Sequence, residues 1–514
     1  MTSPPAAPGA PEGGTNRRVF VGSTTAIAAV TCVTVFATKA VGGVVAGAQQ
    51  AITDHVGWLY VAAMTGLLAF AIWLMLSRYG AVRLGRDDEG PEFSTPSWFA
   101  MLFSAGMGIG LMFFSVAEPI THYANPPGGG GPSLDSARAA MGLTFFHWCL
   151  HPWAIYAVVA VALAYFSFRK GLPLSIRSLL HPWLGDRIAG GWGDLVDALA
   201  IVATLFGVAT SLGLGAMQVN AGLAHLLGVP IDASTQVTII VVITIAATVS
   251  VVSGLDRGVR LLSTWNVVLA FGLMGFVFAV GPTGFLLDAL VQNVGEYLQQ
   301  LPHHSFWTAA YDRDPPRPTH EWLTGNTIFY WAWWIAWAPF VGMFIARISR
   351  GRTIRELVVG ALLGPTVAGM VWLTVFGNTA LHEEMFVAGG IVDAVSTDVS
   401  TAIYVLLSRL PAATVTSVVC TICVVLFFVT SSDSASLVVD TLASGGAPNP
   451  AVWQRVFWAG LEGAVAGALL LGGGLRALQS AALCSALPFC LVTLWASWGL
   501  VRALGTEFSV DPVV

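Results

Sequence analysis

The sequence predicts an all-α membrane protein with twelve transmembrane helices. Of the 514 residues, 55% are hydrophobic and only 10% are charged, whereas a soluble domain carries about 25% charged residues. Apolar stretches of roughly 20 residues, long enough to cross a bilayer as a helix, recur along the whole chain. They lie at 17–40, 57–77, 96–117, 141–168, 190–222, 235–254, 260–281, 324–347, 356–378, 411–440, 451–473 and 477–503.

The distribution of basic residues predicts how these helices are oriented. With the amino terminus in the cytoplasm, only six of the 23 lysines and arginines fall in outer segments, and the other 17 lie on the cytoplasmic side. Cytoplasmic loops typically carry such an excess of positive charge. We therefore expect a multi-pass protein of the cytoplasmic membrane with both termini in the cytoplasm.

On this basis the chain divides into six segments. The first apolar run follows Arg17 and Arg18, as in a signal peptide, but it has no small-residue cleavage site, so we interpret it as a retained helix. The segments are a disordered cytoplasmic tail at 1–16, two transmembrane helices and a cytoplasmic linker at 17–95, five spans at 96–281, an outer amphipathic connection at 282–322, five further spans at 323–503, and a short cytoplasmic tail at 504–514.

Three glycines, Gly106, Gly108 and Gly110, stand at alternate positions in the third span. Each weakens a helix by about 1 kcal/mol relative to alanine, and unwound backbone inside a membrane is tolerated only where it is buried in protein or lines a cavity. We predict a helix that is broken at a binding site; a close helix crossing through Gly106 and Gly110 is the alternative. Glu118 and Pro119 are expected to end this span.

Two aromatic clusters lie inside the fourth and eighth spans. They consist of Trp148, Trp153 and Tyr156 in the fourth span and of Trp333, Trp334 and Trp337 in the eighth. At 100° per residue, each set shares one helix face, within an arc of roughly 140° for the first and roughly 100° for the second. Facing walls of rings attract a positive charge that is spread over methyl groups. Plain packing is the alternative if the clusters do not face each other.

His147 and His151 stand one helical turn apart, a spacing that suits a metal ion. A metal site needs further ligands, and the sequence places no carboxylate or third ligand within evident reach. The pair therefore does not predict a metal centre.

The tenth span ends in hydroxyl residues, among them Thr430 and Ser431. Such hydroxyls usually bond to the backbone of their own helix. The functional alternative is a sodium site, in which these oxygens are joined by carbonyls of the glycine-broken helix. Glu462 is an isolated acid within a span, and it is the best carboxylate for a proton-coupled alternative.

Several motifs resemble those of the betaine/choline/carnitine transporter family, and the resemblance covers nearly the whole chain. They are Arg83-Leu84-Gly85, Pro91-Glu92-Phe93-Ser94, Gly106-Met107-Gly108-Ile109-Gly110, Phe146-His147-Trp148, Phe329-Tyr330-Trp331-Ala332-Trp333-Trp334, Arg347-Ile348-Ser349-Arg350-Gly351-Arg352 and Thr430-Ser431-Ser432-Asp433-Ser434. The resemblance implies a homotrimer and a LeuT-like five-plus-five inverted repeat preceded by two additional helices. The repeats are then 96–281 and 323–503, and spans three and eight are their first helices.

The resemblance also implies roles for individual residues. An aromatic box for a trimethylammonium group is matched by Trp148, Trp153, Tyr156, Trp333, Trp334 and Trp337, with Gly106, Gly108 and Gly110 beside it. A sodium site is matched by the carbonyls of Ser104, Met107 and Phe427 and the hydroxyls of Thr430 and Ser431. For a second ion site the candidates are Thr204 and Phe340, but Val208 stands where relatives have a second hydroxyl.

These residues predict a secondary active transporter, not an enzyme, that imports a quaternary-ammonium compound by sodium symport. Gly110 is neutral where some choline-selective relatives carry an acid, which favours glycine betaine, with choline next because Phe113-Phe114-Ser115 resembles the choline-type branch. Proton-coupled choline uptake is the alternative, and a membrane receptor or enzyme is a more remote one. The expected partners are the small-molecule substrate, the lipid bilayer and copies of the same chain, without nucleic acid. No cofactor beyond a coupling sodium ion is expected.

Overall fold

A computed structural model describes residues 14–36, 40–106, 108–252, 256–312, 317–447 and 451–508. In these ranges the secondary structure is helical, and extended pairing is limited to one isolated antiparallel bridge between Arg83 and Thr353. The all-α prediction is therefore confirmed for the described part of the chain.

Nineteen α-helices are defined in this part of the chain. The amino-terminal set is α1 Arg17–Phe36, α2 Ala40–Leu76, α3 Thr95–Gly106, α4 Ile109–Ala124, α5 Leu134–Trp148, α6 Leu150–Ala164, α7 His181–Leu184, α8 Gly191–Leu227, α9 Ala233–Val252 and α10 Asp256–Val280. The remainder are α11 Thr283–Phe306, α12 Pro318–Leu323, α13 Phe329–Ile348, α14 Ile354–Leu373, α15 Thr379–His382, α16 Ile391–Thr397, α17 Ala402–Leu407, α18 Ala413–Ala443 and α19 Val452–Glu507.

Eight helical segments among the described residues are long and apolar enough to cross a membrane. They are Gln49–Leu76, Leu134–Arg169, Gly191–Leu227, Ser263–Val280, Pro318–Ile348, Ile354–Val387, Ala413–Ala443 and Val452–Glu507. The last has 56 residues, about 84 Å at 1.5 Å per residue, far more than one bilayer crossing. Gly474 interrupts it with a φ of 60° and a ψ of −143°, so it consists of two helices joined at a kink.

The third predicted span is broken at the glycines. Helix α3 ends at Gly106, Gly108 is extended with φ −153° and ψ −177°, and α4 begins at Ile109. The interruption separates two helices that the apolar pattern alone would join.

The expectation that Glu118 and Pro119 end this span is wrong. Helix α4 continues through both to Ala124, and both are buried. A proline inside a membrane helix is tolerated because packed neighbours accommodate the backbone group that it frees. Gly377 provides that packing, since a Cβ added to it would lie only 2.8 Å from the Pro119 ring.

Helix α13 lies at the centre of the bundle, where it packs against α6 and α8. Helix α6 is buried from His151 to Ala164, and α13 is buried over almost its whole length. The two helices that carry the aromatic clusters are therefore direct neighbours inside the protein, away from lipid.

Candidate functional site

A backbone break places the first aromatic cluster. Helix α5 ends at Trp148, Cys149 is non-helical with φ −97° and ψ −117°, and α6 begins at Leu150. Such a break leaves carbonyls without intrahelical partners. The indole N–H of Trp334 donates to one of them, the carbonyl of His147, at 2.9 Å. The helix break between α5 and α6 thus holds the Trp334 ring of α13 in place.

The second cluster forms a stack along α13. The rings of Trp333 and Trp334 are nearly parallel, at 14°, with centroids 4.8 Å apart. Trp148 meets Trp334 edge-on, with ring centroids 4.9 Å apart and 76° between planes. Trp331, in the same run of sequence, instead stacks on His151 at 5.2 Å and lines no part of this cavity.

All six aromatic side chains predicted for the box line one cavity, which we call the aromatic cavity. It has a volume of about 60 Å³, room for roughly four waters. Gly108, Gly110 and Ser211 also contribute to its lining. The two clusters therefore converge on one cavity. Gly106 ends α3, and its surroundings lie outside the described part of the chain.

Two polar atoms in the aromatic cavity lack a hydrogen-bond partner in the described part of the chain. They are the hydroxyl of Tyr156 and the indole nitrogen of Trp337. A buried donor without a partner costs about 1–3 kcal/mol. Both atoms are buried in the cavity wall, so an acceptor group on a bound molecule reaches them only if the wall moves.

Gly110 is in close contact with the aromatic walls. A Cβ at this position would collide with the Trp333 ring and would lie 3.1 Å from the outer edge of the Trp148 ring. Gly108 has no such neighbour within 4 Å. Glycine is therefore required at position 110 by the approach of two indoles.

A second space, the hydroxyl cavity, adjoins the first and has a volume of about 100 Å³. Of the residues predicted to bind sodium, Phe427, Thr430 and Ser431 line it. Gly108 and Trp337 belong to both cavities. The Thr430 hydroxyl donates to the carbonyl of Leu426 at 2.9 Å. This is the bond to its own helix backbone that the sequence analysis gave as the alternative to a sodium site. Met107 and the side chain of Ser104 lie outside the described residues.

The candidates for a second ion site are not brought into one cavity. Phe340 lines the hydroxyl cavity, whereas Thr204 lines neither cavity. The Thr204 hydroxyl is buried without a partner among the described residues. Val208, also buried, offers no oxygen.

The structure contradicts the expectation that His147 has no carboxylate or third ligand within reach. Ligand atoms of Glu118, His122 and His147 lie within 4.8 Å of one another, and all three side chains are buried. His151 is turned away, with its Nε2 3.2 Å from the hydroxyl of Ser305. Sequence reasoning missed Glu118 because it was assigned to a helix end. An acid inside an apolar span with a histidine one turn later was the signal available.

Glu462 is fully buried and lies outside both cavities. Its carboxylate accepts hydrogen bonds from Ser432 at 3.1 Å and Ser436 at 3.3 Å, both on α18. The acid singled out for proton coupling is therefore held by two hydroxyls between α18 and α19.

Comparison with known proteins places this architecture among transporters. The model of the betaine/carnitine/choline transporter family matches residues 18–509. An uncharacterised transporter of Mycobacterium tuberculosis is 48% identical over 96% of this chain and 83% of its own length. A glycine betaine transporter of Acinetobacter baylyi is 44% identical over 95% of this chain and 73% of its own length. A glycine betaine/proline/choline transporter of Vibrio parahaemolyticus is 43% identical over 96% of this chain and 90% of its own length.

Proposed function

Since the chain belongs to the betaine/carnitine/choline family of transporters, we propose that it imports a quaternary-ammonium compound by sodium symport, with glycine betaine as the preferred substrate and choline next. The family resemblance of its motifs is confirmed. The chain is therefore a multi-pass membrane transporter and not an enzyme. The single observation that carries the proposal is the convergence of six aromatic side chains on one cavity.

The aromatic cavity suits a trimethylammonium group. Such a group donates no N–H and cannot lose its charge, so stacked indole faces hold it by cation–π attraction without a carboxylate. Among the described residues that line the cavity there is no acid. The unpaired donors of Tyr156 and Trp337 in the cavity wall suit the carboxylate of glycine betaine, which choline lacks, once the wall moves to expose them. This combination favours a zwitterion over a net cation.

Sodium coupling is supported by the shared wall between the two cavities. Thr430, Ser431 and Phe427 offer neutral oxygens around the hydroxyl cavity, and hard cations prefer oxygen ligands. Because Gly108 and Trp337 belong to both cavities, occupancy of one space changes the walls of the other. A sodium ion that binds there stabilises the arrangement that binds the substrate.

For the whole assembly we propose twelve transmembrane helices in a five-plus-five inverted repeat after two additional helices, with both termini cytoplasmic and three copies per particle. The glycine break between α3 and α4 and the tryptophan run of α13 then occupy the first helices of the two repeats. In such folds, broken helices surround a midplane site, and one repeat moves against the other to give alternating access.

The direct test is uptake of labelled glycine betaine, choline and carnitine into proteoliposomes, with sodium and proton gradients imposed separately. We expect an inward sodium gradient to drive betaine accumulation and a proton gradient alone to drive none. Counterflow of labelled betaine without any gradient separates a transporter from a receptor. Absence of both uptake and counterflow would overturn the proposal.

Replacing Thr430 and Ser431 together by alanine is expected to raise the sodium concentration for half-maximal uptake at least tenfold, because two of the proposed ion ligands are removed. Maximal betaine binding at saturating sodium should change much less. The matched control is the Thr416→Ala and Ser417→Ala pair, an adjacent threonine and serine on the same helix that line neither cavity. Unchanged sodium dependence in the first pair would exclude this ion site.

Glu462→Gln separates sodium symport from proton-coupled choline uptake. Glutamine has the same shape and keeps an oxygen for the Ser432 or Ser436 hydroxyl, but it cannot release a proton. We expect sodium-driven uptake to survive within about threefold. A variant that loses all uptake, in a protein whose wild type responds to a pH jump, would support the proton-coupled alternative instead.

A further inference from the structure

Glu118 is a buried acid with four hydrogen-bond contacts, and within the described ranges none of them is to lysine or arginine. One carboxylate oxygen accepts from the indole N–H of Trp148 at 2.5 Å and the hydroxyl of Tyr330 at 2.6 Å. The other lies 2.6 Å from Nδ1 of His147 and 3.2 Å from Nε2 of His122. Only 3% of the residue is exposed.

The hydrogen-bond geometry matches an ionised carboxylate. With the His147 and His122 nitrogens as donors, each oxygen of an ionised carboxylate accepts two hydrogen bonds and all four contacts are satisfied. Nε2 of His147 lies 2.9 Å from the Thr327 hydroxyl, so a neutral imidazole with its proton on Nδ1 satisfies both contacts. Charge-assisted hydrogen bonds offset the cost of burying the negative charge.

Trp148 connects this charge to the aromatic cavity. The indole nitrogen is bonded to Glu118, and the opposite edge of the same ring approaches Gly110 in the cavity wall. A hydrogen bond to an anion fixes the ring and polarises it toward a more negative face. In a low-dielectric interior, a full charge behind the ring also attracts a cation in front of it.

We propose that Glu118 is a positioning residue that holds Trp148 in place and gives the aromatic cavity its preference for positive charge. The inference rests on the proposed function, since it assigns how the ammonium group is attracted. It explains how a cavity lined by no acid selects a charged ligand over a neutral one of the same shape.

A metal ion bound by Glu118, His122 and His147 is the competing interpretation. Two ligand atoms on one tetrahedral zinc lie about 3.3 Å apart, whereas the Glu118 oxygen and His147 Nδ1 are 2.6 Å apart, a hydrogen-bond distance. The second Glu118 oxygen is taken by Trp148 and Tyr330. The geometry therefore favours the hydrogen-bonded network.

The test compares glycine betaine with 3,3-dimethylbutanoate, which has the same shape with carbon in place of the charged nitrogen. Binding of both to purified wild-type protein and to Glu118→Gln is measured by equilibrium titration. We expect Glu118→Gln to weaken betaine binding about tenfold, equivalent to about 1.4 kcal/mol, and to change binding of the neutral-headed analogue less than twofold. Glu118→Asp keeps the charge and should retain the wild-type ratio within about threefold.

The outcomes are distinguishable. Equal losses for both ligands would reduce Glu118 to a structural role and overturn the inference, as would one zinc per chain by elemental analysis that disappears in Glu118→Gln. Wild-type protein that binds no betaine would overturn the proposed function, and the inference with it. Should Glu118→Gln not fold, Trp148→Phe keeps a ring in the wall but removes the N–H, and it must show the same selective loss. Asp440→Asn is the matched control, a buried acid that lines neither cavity.

Discussion

Trp334→Leu and Trp337→Leu are each expected to abolish specific uptake. A desolvated cation–π contact contributes about 2 kcal/mol or more, so the loss of one indole lowers affinity at least about 30-fold. Leucine preserves apolar bulk but offers no negative ring face. The Trp337→Leu substitution also removes one of the two unpaired donors in the wall of the aromatic cavity. The measurement is substrate binding and uptake at matched expression, with oligomer assembly checked by size-exclusion chromatography.

Trp331→Leu is the control for this pair. It lies on the same helix and is fully buried, but it stacks on His151 outside the aromatic cavity. We expect it to lower folding stability, as loss of a buried ring does, while substrate affinity stays near the wild-type value. Wild-type uptake by the Trp334 and Trp337 variants would remove the aromatic cavity from the mechanism.

The positions of these rings could be predicted because local periodicity determines them. Residues such as Trp333 and Trp337, four apart on a helix, share a face whatever the fold. Depth within an apolar span also indicated that they do not belong to an interfacial belt. Which faces of these helices meet depends on tertiary packing, and local periodicity does not predict it. The structure shows it in the contact between α6 and α13.

Only one partner of Glu118, His122 one turn away, is close in sequence, and the others are remote. Trp148 is 30 residues away and Tyr330 is 212 residues away. An Asp or Glu next to proline is an ordinary helix end in a local pattern, and only tertiary donors make the same acid stable inside a bundle. Apolar length did locate the interruption of α19, since the predicted spans 451–473 and 477–503 leave a gap that begins at the non-helical Gly474.

Gly110 supports two separate predictions, one from its lack of charge and one from its lack of a side chain. From the sequence, its neutrality suggested a preference for a zwitterion over a cation. The structure adds a steric reason, since the indoles of Trp148 and Trp333 occupy the space of a side chain. An acidic substitution at position 110 therefore changes both charge and volume. A small neutral residue such as alanine adds volume without adding charge.

Gly110→Ala is accordingly expected to lower substrate affinity at least about tenfold without loss of helix stability. The added methyl group must displace the Trp333 ring, which is stacked between Trp334 and Phe329. Such overpacking costs about 1–3 kcal/mol, whereas alanine in a helix gains about 1 kcal/mol. Binding titration and thermal denaturation together separate the two effects.

Gly275→Ala on α10 is the matched control, because an added methyl group there meets nothing within 4 Å. It should receive the same gain in helix propensity and keep wild-type uptake. If Gly110→Ala also bound betaine with wild-type affinity, the stacked indoles would have to be mobile enough to make room for a methyl group. The ligand would then shape the aromatic cavity as it binds, and the proposed selectivity could not depend on preorganised rings.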